Sequence, residues 1–153
     1  MRLNNFFLFL IILFFTISCS KEQERKSVIK EKNLDLQVLE AYKEGMEYLE
    51  NGDVLFAAKK FNEAEILFPQ SIWAPKSSLM AAYAYYTQDY YGDAIAELER
   101  FIRIYSKNIN IDYAYYLLAV CYYEQIVDEK KDLQSIVNAK KYFEIIIRNY
   151  PET

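Results

Sequence analysis

The residues with chemical potential are few, and their spacing is mostly helical. Glu40, Glu44 and Glu47 recur three and four positions apart, as do Asp93 and Glu97. Convergent carboxylates can hold a metal ion or share acid–base work. Here they alternate with Lys43, Lys59 and Lys60, the pattern of the solvated face of an amphipathic helix. No metal site and no cofactor is expected from them. The chain has no histidine, which excludes Ser-His-Asp and Cys-His nucleophile systems and imidazole-based zinc sites. Glycine occurs only at 45, 52 and 92, so no glycine-rich phosphate cradle can be written. With a net charge of −4 and no basic cluster, a nucleic-acid partner is not expected. A non-enzymatic role follows.

The two cysteines have separate fates. Cys19 follows an apolar run over residues 6–15, preceded by Arg2 and the α-amino group. Ten apolar residues are too few to span a bilayer, which takes about 20, but they suit the core of a signal peptide. Thr16-Ile17-Ser18-Cys19 resembles a bacterial lipobox, with Thr where Leu is usual. It implies cleavage after residue 18 and lipidation of Cys19. Ser20 lacks the aspartate that retains such lipoproteins at the inner membrane, so the expected location is the periplasmic face of the outer membrane. Residues 19–33 are rich in Lys, Glu, Gln and Ser and form a lipidated, solvated tether. Cys121 lies in an apolar-aromatic run and is expected to be a small core residue.

The elements that must carry any function lie in residues 34–153, and they repeat. Gly45, Tyr48, Ala57, Phe61, Ala64 and Pro69 set a spacing that returns in Ala82, Tyr85, Ala94, Leu98 and Phe101. It returns again in Ala119, Tyr122, Ala139, Phe143, Ile146 and Pro151, with eight additional residues between Tyr122 and Ala139. Copies start 37 residues apart, close to the roughly 34 of a tetratricopeptide repeat. The fold class is therefore all-α, a tetratricopeptide-repeat solenoid of about three helix-turn-helix units near 38–72, 75–109 and 112–153. Small residues at 45, 82 and 119 are expected to face those at 57, 94 and 139, with Phe61, Leu98 and Phe143 packing toward the next hairpin. Pro69 and Pro151 end second helices. Asn51-Gly52-Asp53 and Tyr91-Gly92-Asp93 are the expected turns within hairpins, and Asp128-Glu129-Lys130-Lys131-Asp132 is a mixed-charge connection.

In such arrays the first helices line an inner groove at the second, fifth, ninth and twelfth repeat positions. These places hold Leu39, Tyr42, Met46 and Leu49, then Lys76, Leu79, Tyr83 and Tyr86, then Tyr113, Tyr116, Val120 and Tyr123. Tyrosine joins apolar area to a polar tip with few rotamers to freeze. The expected groove for an extended peptide comprises Tyr42, Met46, Leu79, Tyr83, Tyr86, Tyr113, Tyr116 and Tyr123.

Longer segments resemble one family. Phe68-Pro69-x-Ser71 followed by Ala82-Tyr83-Ala84-Tyr85-Tyr86 is similar to a repeat junction of the BamD/ComL outer-membrane assembly lipoproteins. Phe101-Ile102-Arg103, then Asn110-Ile111-Asp112-Tyr113-Ala114-x-Tyr116-Leu117, is similar to that family's most recognisable stretch. The third-repeat insertion and Tyr150-Pro151 fit it too. Ser106 departs from a usual proline and Ala119 from a usual glycine. The resemblance implies a scaffold of the β-barrel assembly machinery that receives unfolded outer-membrane precursors. Implied partners are the barrel-forming insertase, smaller lipoproteins, and the membrane through the lipid. Family members carry about five repeats, so the chain is expected to be a truncated form whose insertase-docking repeats are missing. The alternative is another lipid-anchored tetratricopeptide adaptor, for pilus assembly or cell-envelope division.

Overall fold

The computed structural model describes residues 33–127 and 133–152. The signal segment, Cys19, the tether up to residue 32 and the loop 128–132 lie outside the described residues. Six helices follow in order: α1 (Leu34–Glu50), α2 (Val54–Leu67), α3 (Trp73–Tyr86), α4 (Tyr91–Ile104), α5 (Ile111–Glu124) and α6 (Leu133–Asn149). No strand occurs among the described residues. Each helix packs on the one before it, and the fully described connections span only three to six residues, so neighbours run antiparallel. The first helices also touch in series, α1 to α3 and α3 to α5, whereas no Cα of α2 comes within 8 Å of one in α4.

The small residues mark the tight contacts. Ala57, Ala82, Ala94 and Ala119 are fully buried, and Ala139 is nearly so. Gly45 has a further reason to be glycine. A Cβ there would sit 2.8 Å from Cδ1 and Cε1 of the Phe61 ring. Phe61 therefore fills the space over Gly45 inside its own hairpin, besides meeting Tyr42 at 5.4 Å between ring centroids. Leu98, Phe101, Leu118 and Cys121 form the equivalent core one repeat on. Phe143 is only half-buried; among the described helices α6 packs on α5 alone.

The turns show how local chemistry ends each helix. After α1, Gly52 takes φ +81°; its N–H donates to Leu49 O and that of Asp53 to Tyr48 O, closing the orphan carbonyls in a Schellman arrangement. The second hairpin repeats this geometry without glycine. Asp89 adopts φ 62°, with Asp89 N–H donating to Tyr86 O and Tyr90 N–H to Tyr85 O. The expected turn at Tyr91-Gly92-Asp93 is thus displaced: those residues form the first turn of α4. The left-handed position falls to Asp89, a short polar side chain that tolerates it, and its Oδ1 accepts from Tyr91 OH at 2.7 Å. Pro69 and Pro151 each stand two residues beyond the last helical residue of α2 and α6.

Candidate functional site

The first helices carry a tyrosine-lined face. Tyr83 and Tyr86, one turn apart on α3, have ring centroids 6.3 Å apart, and Tyr113 and Tyr116 on α5 repeat the arrangement at 6.4 Å. Tyr86 also meets Tyr91 at 6.2 Å. Between α3 and the start of α5 lies a hollow of about 290 Å³, lined by Lys76, Leu79, Met80, Tyr83, Asn110 and Tyr113. Its walls are largely apolar, with Asn110 and Lys76 at the polar margin. Such a volume suits one or two side chains of a peptide.

The eight sequence-derived groove residues divide by exposure. Tyr113, Tyr116 and Tyr123 are 39%, 49% and 59% exposed. Tyr83, Tyr86 and Met46 are half-buried, packed against the cores of their repeats. Leu79 forms the buried floor of the hollow. Tyr42 is set into the core, 5.1 Å from the Trp73 ring centroid besides its contact with Phe61. Lys76 Nζ rests 5.1 Å from the Tyr42 centroid and 5.0 Å from that of Trp73, a cation held over two aromatic faces at the hollow's mouth. Burial raises the phenols of Tyr86 and Tyr113 above their ordinary value. They remain neutral at physiological pH and can donate to peptide carbonyls.

A buried polar cluster behind this face has no counterpart in the sequence expectations. Arg100 Nη1 and Nη2 on α4 donate to Glu65 Oε1 and Oε2 on α2 at 2.8 and 2.6 Å. Arg100 Nε and Nη2 also donate to Glu97 Oε2 at 2.9 and 2.7 Å, and Nη2 reaches Ser78 Oγ at 3.1 Å. Tyr105 OH donates to Glu65 Oε1 at 2.7 Å, and Asn62 Nδ2 to Glu97 Oε1 at 3.1 Å. Glu97 is therefore part of an inter-repeat network rather than of a freely solvated face. The signal was the neighbourhood of Glu65, a charge set beside core Ala64 and Phe61 in a helix whose buried side it shares. Burial and this hydrogen bond hold the Tyr105 phenol well above its ordinary range. The arrangement is that of a clamp, in which Arg100, Glu65 and Glu97 are each hydrogen-bonded to a partner.

Paired helices repeating this way, with an aromatic face on the first helix of each, define a tetratricopeptide-type binding scaffold. A family model described as outer membrane lipoprotein (YfiO) matches residues 34–153, and the chain belongs to that family. It is 38% identical over 112 residues to the outer membrane protein assembly factor BamD of Caulobacter vibrioides, covering 73% of this chain and 37% of the relative. To BamD of Rickettsia prowazekii it is 34% identical over 112 residues, 73% of this chain and 45% of the relative. To BamD of Neisseria gonorrhoeae it is 39% identical over 83 residues, 54% of this chain and 31% of the relative. The chain thus spans less than half the length of these curated relatives. Among the described residues, no helix is long and apolar enough to cross a membrane.

Proposed function

We propose that the chain is a non-catalytic scaffold of the outer-membrane β-barrel assembly machinery, held on the periplasmic face of the outer membrane by lipid on Cys19. Its tyrosine face takes extended segments of unfolded barrel precursors. Its other partners are the barrel-forming insertase and companion lipoproteins. The observation that carries the binding role is the apolar hollow between Leu79, Tyr83 and Tyr113, continued by the exposed rings of Tyr116 and Tyr123. Family membership supports the assembly context, since the relatives are assembly factors by name.

The physical logic is that of a preorganised strip. Rings already fixed against the repeat cores lose little entropy on binding, so apolar contact is retained as affinity. Neutral phenols at intervals along two helices offer donors to a backbone that has none of its own pairs made. An extended chain of any sequence with recurrent apolar residues meets both requirements, which suits precursors that share strand patterning rather than identity.

The test is affinity purification of the full-length protein from gently solubilised envelopes, with the co-purifying proteins identified. Recovery of a large β-barrel protein with periplasmic docking domains is expected. Recovery of only pilus or division proteins would replace the proposal with the adaptor alternative.

A further inference from the structure

The antiparallel order of the helices puts the start of α1, the loop 68–72 and the loop 105–110 at one edge of the array, and the turns 51–53 and 87–90 at the other. The two edges differ in charge. Loops 68–72 and 105–110 contain no carboxylate, and Lys107 is their single ionised side chain. The acids on that edge are Glu65, buried and bonded to Tyr105, Asp35 and Asp112 in the first turns of α1 and α5, and Glu152 beyond α6. Two of the opposite edge's three connections, the turns 51–53 and 87–90, are flanked by Glu50, Asp53, Asp89 and Asp93, with no cation among those turn residues.

The carboxylate-poor edge also displays aliphatic tips in register. Ile72 is 85% exposed and Ile109, 37 residues later, is 90% exposed. Ile66 and Ile104, at the ends of α2 and α4, are exposed beside them, as are Leu34 and Leu36 at the start of α1. Loop isoleucines held at the tips of rigid hairpins, with Lys107 and Arg103 nearby, have the make-up of an interfacial membrane contact. The first helix, α1, begins at Leu34 on this same edge.

From this we infer that the edge formed by loops 68–72 and 105–110 lies against the lipid surface, with Ile72 and Ile109 inserted among the headgroups. The acidic edge then points into the periplasm, because anionic headgroups repel it. The inference rests on the reading of the chain as membrane-anchored through its amino-terminal segment, and it adds an orientation that anchoring alone does not set.

Trp73 is the protein's single tryptophan and follows Ile72 directly, so it reports on this edge. The full chain would be reconstituted into vesicles of phosphatidylethanolamine and phosphatidylglycerol whose acyl chains carry bromine, and Trp73 fluorescence compared with that in unbrominated vesicles. Clear quenching is expected, reduced at least threefold in the double variant Ile72→Glu, Ile109→Glu with an unchanged far-ultraviolet spectrum. The opposite-edge variant Phe56→Glu should quench like the wild type and serves as the control for added charge. Protein that floats with the vesicles but shows no quenching overturns the orientation and leaves the anchor standing. Protein that does not float overturns both.

Discussion

Arg100 and Glu65, 35 residues apart, meet in a two-pronged ion pair that joins α2 to α4 where no backbone contact does. First helices touch each other directly, while α2 and α4 stand apart and are bridged by these long side chains. The bridge therefore adds a side-chain tie between the first two repeats beside the helix packing of α2 on α3. Glu65 is buried and Arg100 about 29% exposed, so the pair is largely withdrawn from water. Removing one partner of a buried pair costs about 3–5 kcal/mol, and partial solvation of Arg100 reduces this to about 2–3 kcal/mol for Arg100→Ala. The double change Glu65→Leu, Arg100→Met should restore most of it, since no charge is left alone. Urea unfolding of the wild type, Glu65→Leu, Arg100→Met and the double variant measures the cycle; additive losses would show that the pair is not coupled.

High pH should unfold the protein in a defined order. Burial pushes the Cys121 thiol up to about 12, and burial with a hydrogen bond to Glu99 pushes Tyr122 up to about 12; Tyr105 also moves upward. In each case the folded state holds its proton more tightly than the unfolded chain. The stabilisation is therefore complete below about pH 8.5, the ordinary thiol value, and lost as pH rises through about 12. Melting temperature should be level from pH 7 to 8.5 and fall beyond. Cys121→Ala should delay the onset to the tyrosine range, near pH 10; an unchanged onset would remove the thiol from the account.

Two glycines separate steric from conformational need. Gly45→Ala places a methyl 2.8 Å from a ring that is fully buried. Overpacking of this kind costs about 1–3 kcal/mol, more than the roughly 1 kcal/mol that alanine returns as a helix former. Gly52→Ala meets no atom within 4 Å but is strained by φ +81°, a cost of about 1 kcal/mol. A core change Phe61→Leu should rescue Gly45→Ala and leave Gly52→Ala untouched, as thermal melts would show.

Neighbouring serines should behave oppositely. Ser78 Oγ is hydrogen-bonded to Arg100, whereas Ser77 Oγ is buried with no partner among the described residues. Ser77→Ala removes a desolvated hydroxyl and should be neutral or stabilising by about 1 kcal/mol, while Ser78→Ala should cost about 1 kcal/mol. Denaturant midpoints decide this.

The hairpin framework was legible because small residues and tyrosines recur at fixed spacing, and that spacing is imposed by close helix approach within each unit. What lay outside it was decided by partners distant in sequence. Helical periodicity marks Glu97 as solvent-facing, but periodicity carries no information on Arg100 three residues later drawing in Glu65 from the preceding repeat. Tyr42 occupies a groove position by count, yet Trp73 and Phe61 enclose it. Gly92 looked like the turn residue, and Asp89 took the left-handed position three residues before it, because the helix end is set by the orphan carbonyls of Tyr85 and Tyr86. The family resemblance was carried by contiguous segments around the repeat junctions, where packing leaves little freedom.

The central claim is that the tyrosine face receives extended precursor segments. Its most direct test places a photo-crosslinking amino acid at position 83 or 116 on the first helices, and as a control at exposed position 56 on the second helix α2, in cells synthesising a barrel precursor. The account predicts adducts with the unfolded precursor at 83 and 116, absent at 56 and weakened when Tyr86 and Tyr113 are changed to Ala. Equal crosslinking at all three positions, or adducts at 56 alone, would contradict it.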